Sequence, residues 1–102
     1  MKFLVALLFV SIQFSSFASD GFSAIDTMIN SGNYSKAKQE LNTVLAKTPQ
    51  EFEALWRLSR LQVFEADELK DDAKKEAGYQ LAFQTADLAI KANPTQAAGF
   101  LR

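Results

Sequence analysis

The stretch Gly32-Asn33-Tyr34-Ser35-Lys36-Ala37-Lys38-Gln39-Glu40-Leu41-Asn42-Thr43-Val44-Leu45-Ala46-Lys47-Thr48-Pro49 decides how this chain folds. It opens on a glycine, the residue that takes a positive φ at no steric cost and turns a chain sharply after a helix. Ala37, Leu41, Val44 and Leu45 follow at spacings of three and four, one apolar stripe on a helix. Asn33 or Ser35 supplies a side-chain oxygen to cap that helix. Pro49 disfavours helical backbone at Thr48 and stops it. A related pattern ends at Pro94, 45 residues further on.

Working outward, the residues on either side also read as helix. Upstream, about Phe22 to Asn30 carries Phe22, Ile25 and Ile29 on one stripe, with Ser19 or Asp20 as its cap. Downstream, a third helix is expected from near Glu51 to Phe64 or Glu65. Its apolar residues (Phe52, Ala54, Leu55, Trp56, Leu58, Leu61, Val63, Phe64) are too widely spread for one stripe, so it should pack on more than one side. A fourth, about Lys75 to Ala92, sets Leu81, Leu88 and Ile90 beside the small residues Gly78, Ala82, Ala86 and Ala89, which let a neighbouring helix approach closely. Tyr34, Leu41, Leu45, Leu58, Leu81 and Leu88 are the expected core. No useful length alternates with period two, so the fold class is all-α, with no strands expected.

Composition narrows the chemistry. Eleven Lys and Arg against twelve Asp and Glu give a net charge of -1, which favours neither nucleic acid nor an anionic membrane. The absence of Cys and His removes thiolate nucleophiles, disulfides, histidine bases and the usual transition-metal ligands. No catalytic residue, cofactor or metal is expected. Between the third and fourth helices, Glu65 to Glu76 is dense in charge. It lacks the glycine and terminal glutamate of a calcium loop, since the twelfth place from Asp67 is Gly78. It also sets like charges four apart at Asp67/Asp71, Glu68/Asp72 and Asp72/Glu76, so a solvated loop or an extended helix end is expected.

Residues 1–18 have the form of a signal peptide. Lys2 is followed by the apolar run Phe3 to Val10, and Ser16-Phe17-Ala18 places small residues for cleavage after Ala18. Ser11, Gln13, Ser15 and Ser16 break the run well short of the ~20 residues a membrane span needs. With no cysteine to carry a lipid, the expectation is a periplasmic or secreted protein, off the membrane once the signal is removed.

The helical part resembles the tetratricopeptide repeat, a helix-turn-helix unit of about 34 residues. Gly32, Tyr34, Ala37, Leu41, Val44 and Pro49 stand at the family's spacings, as do Tyr79, Ala82, Ala86, Ala89 and Pro94. Ala54, Leu58 and Ser59 fit the next unit's first helix, with Trp56 one place late. Unit one would cover about residues 19–49 and unit two about 50–94, with a charged insert near 65–76; 95–102 would begin a third. Such a lengthened unit, with its aspartate- and lysine-rich insert, is also similar to bacterial relatives of the regulators of microtubule dynamics.

The resemblance implies antiparallel hairpins stacked as a short right-handed solenoid, whose first helices line a concave face that binds a protein or peptide. On that face would lie Phe22, Asp26 and Ile29 of unit one and Glu53, Trp56, Arg57, Arg60 and Phe64 of unit two. Asp26, Trp56, Arg57, Arg60 and Phe64 are the candidate partner-binding residues, the arginines holding a carboxylate beside an apolar side chain. The same residues also fit plainer roles: a surface Glu53–Arg57 pair and an Arg60 stacked on Trp56. Three readings of function remain open at this point. They are a non-catalytic periplasmic binding scaffold, the N-terminal piece of a larger exported protein serving an enzyme or transporter, and a structural helical bundle. The apolar side of the fourth helix lacks a full neighbour, which makes a homodimer through that face a further expectation.

Overall fold

The computed structural model describes residues 21–100, and all the regular structure among them is helical. The signal-peptide reading of 1–18, the cap at Ser19 or Asp20, and Leu101 and Arg102 lie outside the described residues. We number the helices α1 (residues 21–30), α2 (Tyr34–Lys47), α3 (Phe52–Asp67), α4 (Asp72–Ala92) and α5 (Pro94–Phe100). None of the described helices is long and apolar enough to cross a membrane.

The chain turns where the sequence says it should. Gly32 has φ +84°, and the amides of Gly32 and Asn33 donate to the carbonyls of Ile29 and Met28, the paired bonds that close a helix end on a left-handed glycine. Asn33 occupies the cap position of α2, but its side chain makes no capping bond. The Thr48 amide bonds to Val44 as α2 ends before Pro49, and Glu51 caps α3 by accepting from the Glu53 amide. Asn93 ends α4 and caps α5: its Oδ1 accepts from the Gln96 amide and its Nδ2 donates to Gln96 Oε1. Pro94 takes the first helical position, where a missing N–H leaves nothing unsatisfied.

The charged stretch resolves into more helix than loop. α3 runs on to Asp67, the connection is residues 68–71, and Asp71 caps α4 by accepting from the amides of Ala73 and Lys74. α2 begins at Tyr34, whereas α4 begins at Asp72, well ahead of Tyr79, the residue 45 places after Tyr34. Much of the extra length of the second half therefore lengthens helices. The side chain of Tyr79 ties the extension back, donating its hydroxyl to Asp67 at the end of α3.

Each helix packs on the next. Phe22, Ile25 and Ile29 of α1, Ala37 and Leu41 of α2, and Ala54 and Leu61 of α3 form one buried cluster. Phe52 and Leu55 of α3, Ala89 of α4 and Ala97 of α5 form a second, with Leu45 packed against both. Opposed pairs run in reverse order along neighbouring helices: Lys38 meets Glu65, while Leu45 packs near Phe52 and Leu55. Ser59 Oγ donates to the Ala82 carbonyl at 2.8 Å. A methyl on Gly78 would sit 2.8 Å from Ala66 Cβ. α2, α3 and α4 are thus successively antiparallel, and α1 and α3, linked by Asp26–Arg57 and Asn30–Arg60, run parallel.

Two core expectations need correcting. Leu81 and Leu88 are 51% and 56% exposed. The face of α4 turned to α3 is Gly78, Ala82, Thr85 and Ala89, and residues 81 and 88 point well away from it. Of the small residues read for close approach, Gly78, Ala82 and Ala89 form that contact, while Ala86 lies off it and Thr85 takes its place. Conversely Phe22 and Ile29, expected on an open groove, are 7% and 2% exposed and belong to the core.

Candidate functional site

The face shared by α1, α3 and the start of α5 gathers a connected set of polar side chains. Arg57 sits at its centre, only 11% exposed. Its Nε and Nη2 donate to the two carboxylate oxygens of Asp26 at 2.8 and 3.0 Å, a two-pronged pairing that matches a planar guanidinium to a planar carboxylate. Nη1 donates to both the backbone carbonyl and Oε1 of Glu53, each at 2.9 Å. The guanidinium also lies over the Phe22 ring at 4.8 Å and the Trp56 ring at 4.3 Å, so its flat faces are covered as its edges are bonded.

Glu53 extends the network to the other side. Its Oε1 accepts from Trp56 Nε1 at 3.0 Å and its Oε2 from Gln96 Nε2 at 2.7 Å, which joins α5 to α3. Burial alone would push the Glu53 pKa up. The hydrogen bonds from Trp56, Arg57 and Gln96, with the charge of Arg57, outweigh it and hold the carboxyl below its ordinary value. Burial likewise disfavours the charge on Arg57, and the bonds and charges of Asp26 and Glu53 reverse this and raise its pKa.

Arg60, one turn further along α3, is placed differently. Its Nη2 donates to Asn30 Oδ1 at 3.2 Å and its guanidinium lies 5.2 Å from the Phe64 ring. Among the described residues no carboxylate pairs with it. Phe64 in turn stacks on Tyr34 of α2, ring centroids 6.1 Å apart. The structure therefore brings the candidate residues together in two groups: Asp26, Trp56 and Arg57 in one, Arg60 and Phe64 in the other. The alternative stacking of Arg60 on Trp56 is replaced by Phe64, because Arg57 occupies the tryptophan ring.

Two participants escaped the sequence reading, Asn30 and Gln96. For Gln96 a signal was present: Asn93-Pro94-Thr95-Gln96 has the spacing of a capping box, which places the glutamine at the first turn of α5 beside whatever α5 packs on. Asn30 carries no pattern of its own; only the parallel run of α1 and α3 brings it to Arg60. A surface depression of about 560 Å³ lies elsewhere, on the outer side of α2 between Ser35, Lys38, Gln39, Asn42, Thr43 and Ala46, and touches none of these groups. No group of three or more Asp or Glu side chains placed to hold a metal ion occurs among the described residues.

Neither a curated protein nor a solved structure matches the chain. A family model does: that of RMD1-3, regulator of microtubule dynamics protein 1-3, matches residues 22–100. That span takes in α2 to α5, α1 from Phe22 onward and the Arg57 network, and the chain belongs to the regulator of microtubule dynamics protein 1-3 family.

Proposed function

We propose that the protein is a non-catalytic scaffold, built as a short solenoid of tetratricopeptide type, that binds a protein or peptide on the face formed by α1, α3 and α5. In support of the solenoid, hairpins joined at Gly32 and at residues 68–71 recur with Tyr34, Ala37 and Pro49 answered by Tyr79, Ala82 and Pro94. The parallel run of α1 and α3 accords with first helices lining one face. The observation that carries the binding reading is the contrast between the two arginines. Arg57 has both edges and both faces engaged within the fold, so its role is to hold α1 and α3 in place. Among the described residues Arg60 has one neutral partner, an aromatic neighbour and no carboxylate. It is the group on this face that accepts a ligand carboxylate, from a chain terminus or an acidic side chain, with an apolar ligand residue beside Phe64. The form of residues 1–18 supports export to the periplasm or beyond.

The test uses the full chain against an array of peptides with acidic or neutral residues and with free or amidated C-termini. Wild type should retain peptides that carry a carboxylate next to an apolar side chain. Arg60→Met should weaken that binding by about 10- to 100-fold, the equivalent of one charge-assisted hydrogen bond, with an unchanged melt. Retention of the same peptides by Arg60→Met sinks the reading.

A further inference from the structure

The bond between Asn30 and Arg60 fixes more than the arginine. Asn30 ends α1 with an exposed side chain, and its Oδ1 accepts from Arg60 Nη2 at 3.2 Å. A guanidinium only donates, so the carboxamide of Asn30 presents its oxygen there and leaves Nδ2 beside it as a donor. Among the described residues nothing accepts from Nδ2, and the planar fork of Arg60 has further N–H groups uncommitted. Two donor groups, one from each helix, therefore lie side by side on the α1–α3 face. Asp26 and Arg57 stand one turn back on the same two helices, and their two-pronged pairing sets the spacing of these donors.

We propose that Asn30 Nδ2 and Arg60 hold the ligand carboxylate together, one oxygen each, and that the pair selects a singly charged carboxylate over a phosphate ester. The inference rests on the reading of Arg60 as the ligand-binding group, to which it adds a second residue and a charge limit. The limit comes from counting charges. Arg57 carries one positive charge against the two carboxylates of Asp26 and Glu53, so that trio is net negative by one. Against its burial, the bonds from Trp56, Arg57 and Gln96 hold the Glu53 pKa below its ordinary value, so this carboxylate is ionised at neutral pH. Arg60 is the one cation of α3 outside the trio, and Asn30 adds a donor without a charge. A carboxylate there meets one opposite charge and two donors. A phosphate ester brings a charge of about −1.5 to −2. That exceeds what Arg60 balances, a turn away from a trio that repels it.

The probes are fluorescein-labelled Gly-Ser peptides, read by anisotropy on the full chain. They form two acid–amide pairs: an internal Phe-Glu against Phe-Gln, and a C-terminal Phe with its carboxylate free against the same end amidated. A further peptide carries Phe-phosphoserine. The acid that binds tighter names the source of the carboxylate, and wild type should prefer it to its own amide by about 10- to 100-fold. Asn30→Leu removes one of the two donors and should shrink that preference about tenfold. Asn30→Asp keeps a bond to Arg60 but turns an acceptor to the ligand, so the amide should bind about tenfold more tightly than it binds wild type. An asparagine that only fastened Arg60 would leave the affinity for the amide where it was. Asn30 is exposed, so both variants should melt as wild type does. A wild-type preference in Asn30→Leu, lost in Arg60→Met, overturns this inference and leaves the Arg60 reading standing. A wild type that does not prefer the acid, or a preference that survives Arg60→Met, overturns both. Tighter binding of the phosphoserine peptide than of the preferred acid overturns the charge limit.

Discussion

Replacing Arg57 by methionine isolates what its guanidinium does, because the stem that packs over Phe22 and Trp56 is largely kept while four hydrogen bonds and one charge are lost. Two limits bracket the effect. Exposed ion pairs contribute about 0–1 kcal/mol, and removing one partner of a buried pair costs about 3–5 kcal/mol. Arg57 is 11% exposed, near the buried limit, but Asp26 and Glu53 are 33% and 34% exposed and are rescued in part by water when their partner leaves. A loss of about 2–3 kcal/mol follows. For a domain of this size it amounts to a fall in Tm of about 10–20 °C.

Urea unfolding followed by far-UV circular dichroism and by the fluorescence of Trp56, which the guanidinium covers, measures the loss with two probes. A double-mutant cycle with Asp26→Asn then asks whether the loss belongs to the α1–α3 link. The two-pronged geometry predicts coupling of about 1–2 kcal/mol, because Arg57→Met removes much less once Asp26 has lost its charge. A loss under about 1 kcal/mol, as for a solvated pair, refutes the reasoning. Additive single losses would refute the claim that Arg57 holds α1 through Asp26. Arg60→Met in the same assay should stay within about 0.5 kcal/mol of wild type, since its one bond is to a neutral, exposed asparagine.

Two further outcomes follow from the packing and the charges. Gly78→Ala gains helix propensity of up to about 1 kcal/mol. It also places a methyl 2.8 Å from Ala66 Cβ, so helix α4 must shift, and a net loss of about 1–2 kcal/mol is expected in thermal melts, with Ala66→Gly in the same chain restoring much of it. Glu53 has its pKa held below the ordinary value in the folded state, so its ionised form contributes stability that is fully present above the unfolded value of 4.5 and is lost as pH falls through the lower folded value. Glu53→Gln should therefore flatten the acid limb of a plot of stability against pH, and an unchanged limb would show that the Trp56, Arg57 and Gln96 bonds do not favour the charge.

The elements legible in the sequence were those with local causes. Gly32, Pro49 and Pro94 act through their own backbone geometry, and each punctuates the chain where it stands. The small residues Gly78, Ala82 and Ala89 declared the α3–α4 contact because size alone permits it. The exposed Leu81 and Leu88 were misread for lack of a rotational reference. Helical spacing groups residues into stripes but does not say which stripe meets the neighbour, and in α4 the small stripe wins because it allows the closer approach. The charged stretch reads as a loop or an extended helix end, and the structure takes mostly the second: the Asp71 cap and the tie from Tyr79 to Asp67 outweigh i, i+4 repulsions of a few tenths of a kcal/mol. At the site, the pairing of Arg57 with Asp26 spans 31 residues and depends on α1 and α3 running parallel, which no local pattern states.

The same choice of small residues explains why α4 has apolar side chains to spare. α2 meets its neighbours through Leu41 and Leu45, large residues that fill the space between axes and are themselves consumed by the core. α4 meets α3 through Gly78, Ala82, Thr85 and Ala89, which bury little area each but bring the backbones close enough for Ser59 to bond the Ala82 carbonyl directly. Dispersion and that hydrogen bond then supply part of the adhesion that side-chain volume supplies in α2. An amphipathic helix that satisfies one neighbour with small residues carries its large ones on the flanks, and there Phe83 stays 74% exposed although burying such a ring is worth about 1.5–3 kcal/mol.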